Sequence, residues 1–207
     1  MNLKKHKMII LICIFIIFIT ISVSLISIFW PKYEERFFGF GLLGKDKRAE
    51  TYYPNKDSAV KVGSQINWYV YLHNHMGSNQ GVIVRIKLLN STLEMPNNQE
   101  HQPSPLEPFA EFPLSLSVND TKFVPFSWSI SEAVVVKNDL TLLKTLIVNN
   151  QKVEVNIITS SDSYLYMIFE LWVYDNSSQK YIFGWGHGKD FSSASLQMTF
   201  SVNMSAH

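Results

Sequence analysis

Residues 8–30 carry no charged side chain, and that run constrains this chain more than any other feature. From Met8 to Trp30 the hydrogen-bonding side chains are hydroxyls, on Thr20, Ser22, Ser24 and Ser27. A helix of 23 residues spans roughly 34 Å at about 1.5 Å per residue, enough for a hydrocarbon core of about 30 Å. Hydroxyls are tolerated there because they bond back to carbonyls one turn earlier. Trp30 suits the headgroup boundary, and Pro31 ends the helix. The expectation is an uncleaved transmembrane anchor over residues 8–30. A cleaved signal peptide has an apolar region of about 7–15 residues followed by a small-x-small site. Ser22-Val23-Ser24 fits that site but lies inside the apolar run.

Lys4, Lys5 and Lys7 precede the run and orient it by the positive-inside rule. Residues 1–7 then form a short cytoplasmic tail, and residues 31–207 form an extracytoplasmic domain on a single-pass protein of the cell membrane. The whole chain has 18 basic and 17 acidic residues. The three N-terminal lysines are balanced by no nearby acid, so residues 31–207 hold 15 basic and 17 acidic residues. That balance excludes a basic nucleic-acid-binding body. The single cysteine, Cys13, lies within the apolar run. It excludes an internal disulfide framework and a thiolate zinc cluster.

Beyond residue 37 the hydrophobic period is two, the mark of strands with one buried face. Ile66, Trp68, Val70 and Leu72 alternate with polar or amphipathic residues, as do Val82, Val84, Ile86 and Leu88. The pattern returns at Val124–Ile130, Val153–Ile157, Leu165–Val173 and Leu196–Met204. Pro125 lacks a ladder donor, which predicts an edge position for its strand. Met76–Gly81 and Asp175–Ser178 predict hairpin turns. Residues 137–148 fit either a short helix or another strand. The fold class expected is mainly β: the N-terminal helix followed by an antiparallel immunoglobulin-like β-sandwich centred on Trp68, Trp128 and Phe169. Loop insertions are expected at 91–113 and 131–150. The first holds five of the eight prolines, which predicts an extended polar loop rather than a folded one.

Gly39-Phe40-Gly41-Leu42-Leu43-Gly44 matches G-x-G-x-x-G by letter. Tyr52-Tyr53-Pro54 leaves no room for the helix that a dinucleotide site needs, so a glycine-rich strand and turn is the better reading. Gly184–Asp190 fails the phosphate-loop spacing and reads as a loop between strands. His73 and His75, two residues apart on one strand face, could chelate a metal as neutral imidazoles, with a third ligand from His101, His187 or a carboxylate. No nucleophile elbow or zinc-protease motif occurs. Glu170 lies among aromatics on a strand, where it could serve acid–base chemistry with a second carboxylate, or else be a rim residue or the partner of a lysine. Asn90, Asn119, Asn176 and Asn203 head N-x-S/T sequons, all beyond the anchor, and are glycosylation candidates.

Phe40-Gly41-Leu42-Leu43-Gly44, Ala49-Glu50-Thr51-Tyr52-Tyr53-Pro54, Val62-Gly63 and Leu72-His73-Asn74-His75 resemble segments of an archaeal membrane-associated family, domain of unknown function 1616. The likeness is best over residues 37–89. This chain departs from the family pattern at Ser64 and Met76 and carries one extra residue before Pro54. The resemblance implies a membrane-anchored archaeal β-sandwich and transfers no functional residue. The function expected is a non-enzymatic binding or interaction module without a cofactor, an accessory subunit of a membrane or cell-surface complex. Tyr69, Tyr71, Tyr164 and Tyr166 on polar faces motivate that reading. The alternative is an external metal-binding protein using His73 and His75.

Overall fold

The computed structural model describes residues 14–22, 24, 36–137, 139–160, 163–186 and 191–204. The chain divides into two units, Met1–Glu35 and Arg36–His207. In the first, residues 14–22 and 24 are helical. Thr20 Oγ1 donates to the Ile17 carbonyl at 2.8 Å, Ser22 Oγ to Phe18 at 2.8 Å and Ser24 Oγ to Thr20 at 2.9 Å. These hydroxyls are therefore satisfied within the helix. Among the described residues no helix is long and apolar enough to cross a membrane. Residues 8–13, 23 and 25–30 of the expected anchor lie outside the described residues, as do Lys4, Lys5 and Lys7.

The second unit is mainly β. Its strands, in chain order, are β1 (Phe38–Leu43), β2 (Ala59–Lys61), β3 (Ile66–Asn74), β4 (Gln80–Asn90), β5 (Ala110–Leu116), β6 (Thr121–Lys137), β7 (Leu140–Val148), β8 (Gln151–Ser160), β9 (Leu165–Asp175), β10 (Lys180–Phe183) and β11 (Ser195–Asn203). One sheet runs β1-β3-β6-β7-β8 and the other β2-β11-β9-β4-β5, with β10 also paired to β9. The alternating residues point inward as their period requires. Ile66, Trp68, Val70 and Leu72 of β3 and Val82, Val84 and Ile86 of β4 are all buried. Rings interlock across the layers: Phe126 meets Phe169 edge-on at 5.4 Å, Trp68 lies 6.1 Å from Phe169, and Trp128 lies 4.8 Å from Phe200. The expected centre of Trp68, Trp128 and Phe169 is thus joined by Phe126 and Phe200.

Five sequence expectations are corrected. Pro125 is not on an edge strand, because β6 lies between β3 and β7. The ladder to β7 starts only at Trp128, paired with Val148. One step earlier, Ser127 donates to Asn149 Oδ1 at 2.8 Å, so an asparagine side chain replaces the missing strand. Residues 125 and 127 face the same side in a strand, so the donor that Pro125 lacks points where β7 has already ended.

Met76–Gly81 does not close a hairpin. β3 and β4 belong to different sheets, and the turn carries the chain across the sandwich. The sheets are not wholly antiparallel either, since β2 pairs parallel with β11 through Ser201–Ala59, Val202–Val60 and Asn203–Lys61. After β2 the chain leaves that sheet by a turn at Gly63, whose φ is 83°, and whose N–H reaches Ile130 of β6. Residues 131–150 are not a loop insertion. Among the described residues, 131–137 complete β6 and 140–148 form β7, so the stretch that fitted helix or strand is strand. The distal part of this hairpin exposes Val134, Val135, Val136 and Leu140.

The expected 91–113 loop gives way to β5 at Ala110, and residues 91–109 fold back over the second sheet. Leu89 and Ile168, on the outer side of β4 and β9, are fully buried, as is Lys87 at 3% exposure. Inner and outer faces of these two strands are therefore both covered. Asp175–Ser178 does form the turn between β9 and β10, with Asp175 Oδ2 accepting from Ser177 Oγ at 2.6 Å and from the Ser178 N–H at 3.0 Å.

Candidate functional site

The outer side of β1-β3-β6 should be polar by strand alternation, yet it carries rings. Period two puts Tyr69, Tyr71 and His73 of β3 on that side. Antiparallel register sets Phe123 opposite Tyr71 and Thr121 opposite His73. On the other flank, β1 offers Gly39 opposite His73 and Gly41 opposite Tyr71. A Cβ on Gly39 would stand 3.1 Å from His73 Cβ and 3.2 Å from Tyr71 Cε1, so these rings lean over space that only glycine leaves open. His75 follows the last residue of β3, but its N–H donates to the Phe37 carbonyl at 3.0 Å and keeps the ladder going.

The rings form two groups of contacts along this side. Phe37 stacks on His75 with centroids 4.3 Å apart, His75 approaches His73 at 3.9 Å, and Tyr71 meets Phe123 at 5.6 Å. Lys47 Nζ stands 5.1 Å from the Tyr69 ring and 5.0 Å from the Phe123 ring, within cation–π range. Phe37 and Phe123 are 44% and 40% exposed, so this is an open apolar surface and not a second core. Phe37, Lys47, Thr121 and Phe123 were not legible as members of this face. Strand register, which the sequence does not spell out, brings them in.

His73 and His75 are brought together as their spacing predicts. His73 Nδ1 shares a hydrogen bond of 2.5 Å with Thr121 Oγ1. His73 Nε2 is shielded from solvent and has no hydrogen-bond partner. Among the described residues no group of three or more His, Cys, Asp or Glu could hold a metal. His101 is elsewhere, beside Ser193 and Phe191, and His187 lies outside the described residues.

Glu170 is fully buried, and both carboxylate oxygens are engaged. Oε2 lies 2.9 Å from Lys87 Nζ and accepts from Trp172 Nε1 at 3.0 Å. Oε1 accepts from the Ser104 N–H at 2.7 Å, while Lys87 Nζ donates to the Ser104 carbonyl. The ion pair thus clasps both polar groups of one residue in the 91–109 segment. Of the readings open for Glu170 this is the lysine partner, and its full burial overturns a place on the rim. Nearby, the Arg85 guanidinium stacks 4.0 Å above Trp172 and bonds Glu111 at 2.7 Å.

The four tyrosines do not share a surface. Tyr69 and Tyr71 lie on the first sheet, whereas Tyr164 immediately precedes β9 of the second sheet and Tyr166 lies within it. The sequons differ as well. Asn119 and Asn176 sit exposed in turns. Asn90 Nδ2 donates to the Ile158 carbonyl at 3.0 Å, and Asn203 is half-buried opposite Lys61.

No protein-family model matches the chain. No curated protein matches it. Among solved structures, the chain is similar to the CARDB domain of a Pyrococcus furiosus protein crystallised in complex with di-metal ions. The two are 10% identical, the match covers 84% of this chain and 99% of that one, and the TM-score is 0.37.

Proposed function

We propose that this is a single-pass membrane protein whose residues 31–207 form an extracytoplasmic, immunoglobulin-like binding module, an accessory subunit of a membrane or cell-surface complex. The observation that carries the reading is the exposed aromatic face of β1-β3-β6. Clustered rings of this kind, with a cation beside two of them, are the surface composition that protein interfaces enrich and free surfaces avoid. A non-enzymatic role agrees with Glu170, whose oxygens are committed to Lys87, Ser104 and Trp172. Membrane attachment is supported by the apolar, charge-free run and by helical residues 14–22, whose Ile14, Phe15, Ile17 and Phe18 are exposed.

The test is affinity capture of the full-length chain from its own membranes in mild detergent, with wild type beside a Tyr71→Ser/Phe123→Ser variant. A stoichiometric partner held by wild type and lost by the variant supports the reading. A lone monomer, or a partner retained by both, refutes this face as the binding surface. Protease added to intact cells tests the topology: residues 31–207 should be digested from outside, and full protection overturns it.

A further inference from the structure

We propose that His73 and His75 form a site for one borderline divalent transition-metal ion, Cu²⁺ in preference to Zn²⁺ or Ni²⁺. The proposal stands apart from the interaction reading. Strand period places both imidazoles on the outer side, and the Phe37 carbonyl holds the His75 backbone in line with β3. The rings lie 3.9 Å apart at an interplanar angle of 53°. Thr121 Oγ1 fixes His73 through Nδ1. When Nδ1 carries the proton and donates it to Thr121, Nε2 presents a lone pair, which is the neutral tautomer that ligates metals. A hydrogen bond to the second ring nitrogen is also what orients a ligating histidine.

The second observation is His73 Nε2 itself. It is shielded from solvent and bonded to nothing. A polar atom in that state is uncommon in folded proteins and calls for a partner. A metal ion supplies one. His75 is exposed and stands past the end of β3, so its ring can pivot to share the ion, backed by the Phe37 stack. With no third side-chain ligand among the described residues, solvent completes the coordination. Two imidazoles with open positions suit a tetragonal Cu²⁺ ion, and the affinity order of first-row dications puts Cu²⁺ highest.

The experiment is Cu²⁺ titration of the full-length chain in detergent, without a histidine tag, followed by electron paramagnetic resonance. Wild type should bind one equivalent with hyperfine structure from two imidazole nitrogens. His73→Ala/His75→Ala should abolish that signal, and Thr121→Val should weaken binding by about tenfold or more through loss of orientation. A variant with His6, His101, His187 and His207 all changed to Ala should keep it. A signal that persists in His73→Ala/His75→Ala, or that is missing in wild type, overturns the proposal. Where a variant fails to fold, residue-resolved protection of wild type decides the matter. Zn²⁺ should protect the exposed His75 from carbethoxylation, read by peptide mass spectrometry, and equal modification of His75 with and without Zn²⁺ overturns the site.

Discussion

Lys87 Nζ lies 2.9 Å from Glu170 Oε2, with the two side chains 3% and 0% exposed. Removing one partner leaves the other charge buried and unpaired. Glu170→Gln or Lys87→Met alone should therefore lower unfolding free energy by about 3–5 kcal/mol. The double variant Lys87→Met/Glu170→Leu should recover part of that loss, because the desolvation penalty of both charges disappears while Ser104 and Trp172 lose their partners. Urea denaturation of the four proteins checks this, and a double variant as weak as the singles would contradict it.

Asn74 is fully buried at the end of β3. Its Nδ2 faces the carbonyls of Ser78 at 2.9 Å, Leu116 at 3.2 Å and Ser117 at 2.9 Å, and its Oδ1 accepts from the Met76 N–H at 2.9 Å. One side chain thus ties the crossover turn to the β5–β6 turn. Asn74→Ala should destabilise by about 1–3 kcal/mol per backbone group left without a partner. Asn74→Asp should be worse, since a carboxylate would meet carbonyl oxygens. Thermal melts of both variants give the ranking.

Gly44 follows β1, and a Cβ there would stand 2.2 Å from the Glu50 carbonyl oxygen and 2.8 Å from that of Thr51. Both obstacles are backbone, so no side chain can swing away. Gly44→Ala should cost about 1–3 kcal/mol and loosen residues 45–53. Hydrogen exchange should show faster amides at Lys47 and Gly44, which bond each other's segment across that turn.

Tyr53 donates its phenol to the Thr199 carbonyl at 2.6 Å, and burial holds its pKa well above the ordinary tyrosine value. The unfolded chain releases this proton near pH 10 while the folded chain keeps it. Folding stability from this group is therefore intact below about pH 10 and falls as pH rises further. Tyr53→Phe should be less stable at neutral pH and should lose less than wild type between about pH 10 and pH 11. Chemical denaturation at those pH values, with ultraviolet detection of phenolate, measures it.

The strands were legible because a half-buried strand writes its burial into a period of two, as Ile66, Trp68, Val70 and Leu72 do. Partner strands were not, because register is decided between distant segments. That is why Tyr71 could be placed on an outer face while Phe123 beside it could not. It is also why Pro125 misled: its missing donor marked the end of one neighbour and not the edge of the sheet. The cover over β4 and β9 left a fainter trace. Leu89 and Ile168 are apolar where alternation calls for polar side chains, and Lys87 and Glu170 are charges of opposite sign on adjacent strands. Read together they indicate a face that something seals, though not which residues seal it.

The segment 91–109 gives the molecule a front and a back. One broad side has been roofed by its own chain, fastened at Ser104 by the Lys87–Glu170 clasp. The opposite broad side, with Tyr71 and His73, keeps its rings bare. Copies of such a slab stacked like coins would set rings against a face already sealed by its own chain around Lys87, Leu89, Ile168 and Glu170. Two copies meeting through their ring-bearing sides would leave both roofs facing outward.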